Sequence, residues 1–123
     1  MRINTEYRGG ILFVRLSGQL TKNTINKLNR KVTFIVSNNG IRNIVFNVSK
    51  VSKIDYKGIH TLLYNYELAT KNDGRVFICG VSEKIRRILK ERHLFNYIYE
   101  ISDELCALRV MKGWYYESRR SYI

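Results

Sequence analysis

The stretch from Ile44 to Ala69, IVFNVSKVSKIDYKGIHTLLYNYELA, decides how the chain folds, because its apolar period changes part-way. Ile44–Val48 is a compact β-branched and aromatic run, which predicts a strand. From Ile59 onward the apolar residues Ile59, Leu62, Leu63, Tyr66 and Ala69 recur at helical spacing and mark one face of a helix. Between the two lies Asp55-Tyr56-Lys57-Gly58, with Asp55 placed to cap the helix start. Asn72-Asp73-Gly74 is placed to stop it. A strand that hands over to a helix through a capped turn is the first half of a β-α-β unit, so a parallel sheet is expected.

The same alternation continues outward on both sides. Downstream, Val76–Cys79 predicts a strand, and Gly80-Val81-Ser82 opens a helix carrying Ile85, Ile88 and Leu89. Glu83 in its first turn and Lys90 and Arg92 in its last suit the helix dipole. A short strand over Tyr97–Ile101 and a last helix, started by Ser102 and led by Asp103 and Glu104, close the pattern. Upstream, Ile3–Tyr7 alternates as an edge strand does, and Gly9-Gly10 turns it into a second strand, Ile11–Leu16. Ile25, Leu28, Val32 and Ile35 then predict a helix, with Thr21 at its start and Gly40 at its end. The expected order is β-β-α-β-α-β-α-β-α: an α/β fold whose mixed, mostly parallel sheet has one antiparallel strand at an edge. Ile44, Phe46, Leu62, Leu63, Phe77 and Leu89 fall on inward stripes and are the expected core.

A chain of 123 residues suits one domain with a core of its own. Cys79 and Cys106 are too few and too far apart for a disulfide framework or zinc site, and their apolar surroundings suggest buried, reduced thiols. No signal-peptide pattern and no membrane-length apolar run is present, so the cytoplasm is the expected location. The net charge of +12 is the compositional anomaly. It fits an acidic, nucleic-acid or membrane-surface partner, and equally a solvated basic surface, because the cations are spread along the chain. Catalysis finds no support. His60 and His93 lack ligands at metal spacing, Asp55 has no second carboxylate beside it, and no base is placed by sequence to activate Ser49 or Ser52. The glycines form no phosphate loop or dinucleotide fingerprint. No metal and no cofactor is expected.

Four strings in order, Leu16-Ser17-Gly18-Gln19-Leu20-Thr21, Asn47-Val48-Ser49, Ile54-Asp55-Tyr56-Lys57-Gly58-Ile59 and Gly74-Arg75-Val76, resemble the STAS domain of bacterial anti-sigma factor antagonists. The resemblance implies helices packed mainly on one face of the sheet. It also implies a non-enzymatic binding surface centred on the loop from the third strand into the following helix. Family members regulated by phosphorylation usually show Asp-Ser-Ser-Gly there, whose second serine accepts phosphate from an anti-sigma factor kinase. Here the residues are Asp55, Tyr56, Lys57 and Gly58, so lysine stands at the acceptor position, and Asn47 replaces the usual Asp at the preceding strand end. The resemblance covers a domain of residues 1–111; residues 112–123, with Trp114, Tyr115, Tyr116, Arg119, Arg120 and Tyr122, form a basic aromatic tail beyond it. The implied partner is an anti-sigma factor or related kinase-like protein. The expected interface is Thr21, Asn23, Ser49, Asp55, Tyr56, Lys57 and Gly58, with Lys50 and Lys53 adding positive charge. A homodimer through the tail, a scaffold or transport-system subunit and, further off, a nucleic-acid-binding domain are the alternatives.

Overall fold

The computed structural model describes residues 1–111, so the expected tail, residues 112–123, lies outside the described residues. Five strands form one sheet in the order β1-β2-β3-β4-β5: β1 Arg2–Arg8, β2 Ile11–Leu20, β3 Asn43–Ile54, β4 Arg75–Cys79 and β5 Tyr99–Glu100. Only β1 runs antiparallel to its neighbour; the other three pairings are parallel. The mixed sheet expected from the Gly9-Gly10 hairpin and the strand–helix alternation is therefore the one observed.

Each crossover from β2 to β5 steps to the next strand in the same direction, and right-handed crossovers of that kind put their helices on one face. That face carries a helical rod (α1 Ile25–Leu28, a π turn Asn29–Thr33 and α2 Phe34–Asn39), then α3 Tyr56–Lys71 and α4 Glu83–Glu91. Leu28, Val32 and Val36 from the rod, Ile59 and Leu62 from α3, and Ile85 and Leu89 from α4 pack there on Leu12, Val14, Ile44, Phe46 and Ile78. The alternate strand residues Ile11, Phe13, Val45, Phe77 and Cys79 face the other way. A last helix, α5, begins at residue 104 and reaches 111; its Ala107, Leu108 and Met111 pack against that second face.

Several boundaries differ from expectation, each for a local reason. β2 continues to Leu20 instead of stopping at Leu16, and β3 continues to Ile54 instead of Val48. The extensions pair with each other, Ser17 with Lys50, Gly18 with Val51 and Leu20 with Ile54, across two register shifts. The polar run Ser49-Lys50-Val51-Ser52-Lys53 reads as a loop, yet Val51 and Ile54 are buried and the rest point to solvent. Because β2 is longer, the helix starts later and Thr24 precedes it instead of Thr21. Thr24 Oγ1 accepts from the Thr21 N–H at 3.0 Å and donates to the Gln19 carbonyl at 2.7 Å. Gly40 ends the rod in the left-handed conformation, as expected.

On α3, Leu63 is half-buried where a core position was expected, and Asn65 is fully buried. The other expected core residues, Ile44, Phe46, Leu62, Phe77 and Leu89, are buried. β5 is confined to two of the expected residues, because the N–H groups of Tyr97 and Ile98 turn back to the Leu94 carbonyl, closing a 3-10 turn over Leu94–Asn96 instead of joining the sheet. α5 is capped by Asp103 and not by Ser102: Asp103 Oδ1 accepts the Cys106 N–H at 2.8 Å. Cys79 is buried as expected, whereas Cys106 is only half-buried; both are free thiols.

Candidate functional site

The site is built around one carboxylate. Asp55 ends β3 and caps α3, its Oδ1 accepting the Gly58 N–H at 2.9 Å. Its Oδ2 accepts the Lys22 N–H at 2.9 Å, and its own N–H donates to the Leu20 carbonyl at 3.2 Å. Asp55 thus ties the β2–α1 loop to the start of α3. Partial burial opposes its ionisation, but the backbone N–H groups of Lys22, Gly58 and Lys57 and the Lys22 charge outweigh it, holding the carboxyl below its ordinary range. Gly58 is required here by packing: a Cβ would lie 2.3 Å from the Leu20 carbonyl oxygen.

This frame leaves two side chains facing out. Tyr56 is 55% exposed, Lys57 is exposed, and the Lys57 ammonium stands 5.6 Å from the centre of the Tyr56 ring, within cation–π reach. Lys22 and Asn23 in the β2–α1 loop and Lys53 near the end of β3 are also exposed. The sequence-predicted interface therefore divides. Asn23, Asp55, Tyr56, Lys57 and Gly58 come together. Thr21 belongs to the frame and not to the surface, being only 5% exposed. Ser49 stands apart, six residues up an extended strand, roughly 20 Å at about 3.3 Å per residue. It packs instead against Gly80, which has a φ of +72° and whose added Cβ would lie 2.7 Å from that of Ser49.

Sequence reasoning missed the groove beside this turn. Lys57, His60, Thr61 and Tyr64 on α3 face Ile25, Asn29 and Thr33 across a concavity of about 480 Å³. Its floor is polar: Asn65 Nδ2 donates to Thr33 Oγ1 at 3.1 Å and to the Thr61 carbonyl at 2.9 Å, and Thr33 Oγ1 donates to Asn29 Oδ1 at 3.3 Å. Asn65 Oδ1 is buried with no partner among the described residues. The available signal was polar residues on an otherwise apolar helical stripe, together with the π turn, a feature that concentrates at functional sites.

Asn47, at the position where the resemblance leads one to look for an Asp, faces α5. Its Nδ2 donates to Glu104 Oε2 at 2.8 Å, and its Oδ1 accepts the Ser49 N–H at 3.1 Å. Arg15 holds the same Glu104 through Nε and Nη2 at 2.9 and 2.8 Å, and also reaches Glu6 and Asn4. Hydrogen bonds from Arg15 hold Glu104 below the usual carboxylate range despite partial burial, and Asn47 adds to them. Bonds to Glu104 and then Glu6 raise Arg15 in turn.

None of this is arranged for bond making. His60 on α3 and His93 in the turn after α4 are both exposed. Burial pushes the Cys79 thiol up to about 11, leaving it a poor nucleophile at neutral pH. Among the described residues no group of three or more His, Cys, Asp or Glu could hold a metal ion, and no helix is long and apolar enough to cross a membrane.

Comparison with known proteins places this geometry. The model of the STAS domain matches residues 2–108. An anti-sigma F factor antagonist of Paenibacillus polymyxa is 26% identical over 108 residues, which cover 88% of this chain and 92% of that protein. Among solved structures, one from Thermotoga maritima assigned as an anti-sigma factor antagonist superposes with a TM-score of 0.83 at 14% identity, covering 89% of this chain and 94% of that one. An anti-sigma factor antagonist from Mycobacterium paratuberculosis superposes with a TM-score of 0.77 at 21% identity, covering 88% and 93%.

Proposed function

Since the chain belongs to the STAS-domain family, a family of regulatory binding modules and not of enzymes, we propose that it acts as an anti-sigma factor antagonist whose turn has no serine switch. It binds an anti-sigma factor or related kinase-like protein through the turn that Asp55 organises, with Asn23, Tyr56 and Lys57 as the contacting side chains. The observation that carries this reading is the division of labour at the turn. Asp55 and Gly58 are committed to backbone geometry, while the Tyr56 and Lys57 side chains are exposed and make no hydrogen bond among the described residues. Tyrosine is among the residue types that dominate binding energy at protein interfaces.

Lys57 stands where the family's switch would place its serine. A phosphate at a helix start is stabilised by free N–H groups and the positive dipole end. Lysine there carries the opposite charge, so the surface is permanently suited to an acidic partner. Control then comes from the amount of protein or from a signal acting elsewhere.

The test is a pull-down from the native cell, followed by titration calorimetry of the recovered partner against wild type, Lys57→Glu and Tyr56→Ala. Both variants are expected to fold normally and bind more weakly, by up to a few kcal/mol for Tyr56→Ala if the ring fills a pocket. Unchanged affinity in both puts the interface elsewhere. Phosphate found by mass spectrometry on Ser49, Ser52 or Tyr56 in protein from its own cell overturns the absence of a switch.

A further inference from the structure

Where β1 begins, the sheet leaves an open concavity of about 600 Å³ that shares no residue with the Asp55 turn. Strand register builds it: Arg2 pairs with Ser17, and Ser17 with Lys50, so three strands bring these side chains into one row. Lys27 and Lys31, one turn apart on the helical rod, close the side. Their ammonium groups donate to the Met1 carbonyl at 2.6 Å and the Ile3 carbonyl at 2.7 Å, which fixes both at the groove and leaves each two further N–H donors. Ser49, expected at the partner surface, lines this groove instead.

Among the described residues no acidic side chain lines it. Arg15 forms part of the wall and spends its donors on Glu104, Glu6 and Asn4, and in doing so keeps those two carboxylates from neutralising the four remaining cations. The volume lies in the range of small-molecule sites, and the charges converge on one concavity instead of spreading along a track. Hydroxyls and ammonium groups that converge in this way match the oxygens of a compact polyanion.

We propose that this groove binds a polyphosphate-bearing small molecule, with Arg2, Lys27, Lys31 and Lys50 as charged donors and Ser17 and Ser49 as hydroxyl donors. The phosphates belong either to a nucleotide or to a free phosphate chain. Such a site gives part of the +12 charge a specific use and lets a small ligand bind apart from the partner surface.

The experiment is titration calorimetry of the full chain with tripolyphosphate, ATP and hexaglutamate at about 50 mM salt, where phosphate contacts are strong. The variants are Arg2→Ala/Lys50→Ala and, as a control at the turn, Lys53→Ala/Lys57→Ala. Arg2 and Lys50 are exposed and make no side-chain hydrogen bond among the described residues, so the first variant keeps the fold. Ser17→Glu, which puts a carboxylate into the row, is a second test of the same groove. The expected result is one tripolyphosphate site, weakened about tenfold or more by Arg2→Ala/Lys50→Ala and by Ser17→Glu, a loss of about 1.4 kcal/mol, and left intact by the control. ATP binding more tightly than tripolyphosphate, with the same losses, assigns the phosphates to a nucleotide; equal affinity assigns them to the chain itself. Absence of binding overturns the proposal. Equal losses in the control do so too, by tracing the binding to overall charge. Hexaglutamate binding more tightly than tripolyphosphate overturns the phosphate class in favour of an acidic protein segment.

Discussion

At the scale of single residues, Asp55 does two jobs with two oxygens, and substitution can separate them. Asp55→Ala removes both the α3 cap and the tie to Lys22. Loss of an N-cap alone costs about 0.5–2 kcal/mol, so a total near the upper end is expected in a denaturant melt. Asp55→Asn keeps a carbonyl oxygen for Gly58 but puts an amide against the Lys22 N–H, and should fall between wild type and alanine. Equal melts for all three proteins would mean that the turn is held by its packing and not by the carboxylate. Part of the loop that the resemblance singles out was legible from local rules, with Asp55 as cap, whereas the close approach that requires Gly58 is seen only once β2 and α3 are packed together. Thr21 misled because its role as a cap depended on where β2 ends. Ser49 misled because a polar run hid the second half of β3, which carries it away from the turn.

At the scale of elements, the face of α3 and the docking of α5 each make a prediction. Leu62 is fully buried whereas its neighbour Leu63 is half-buried against the edge of the core. Leu62→Ala is expected to cost about 2–5 kcal/mol and Leu63→Ala distinctly less, read from paired melts. The reverse order would rotate the helix. The apolar spacing of α3 was legible, but its exact face was not, since Asn65 turns inward to bond Thr33 and Thr61 and period alone gives no warning of that. For α5, the hold on the sheet is Glu104 between Arg15 and Asn47. The folded state lowers the Glu104 carboxyl below its ordinary value of about 4. The stability it contributes is therefore complete above that ordinary value and is lost as pH falls through the lowered one. Glu104→Gln should flatten the acid limb of the melting curve and weaken α5 docking at neutral pH. An acid limb that is the same in both proteins would place the loss at other carboxylates.

For the molecule as a whole, twelve excess positive charges act at a distance as well as by contact. Association with an acidic partner should be steered, so its rate constant is expected to fall as salt rises while the dissociation rate changes much less. Stopped-flow measurements across ionic strength check this, and a rate insensitive to salt would return the charge to the role of a solvated coat. The alternation of periods was enough to set the architecture. The groove at the start of β1 could not be read in advance, because Arg2, Lys27 and Lys50 come together only through pairing and a helix reaching across. The strand order has a consequence for how the molecule is made. Each strand lies beside the one synthesised just before it, so none has to wait for a later segment to be inserted between existing neighbours. Synthesis runs from the N-terminus, and β1, β2 and the rod are complete before β3 leaves the ribosome. The strand order thus lets the sheet be assembled in the direction of translation, with α5 and its Glu104 latch docking onto a sheet already built.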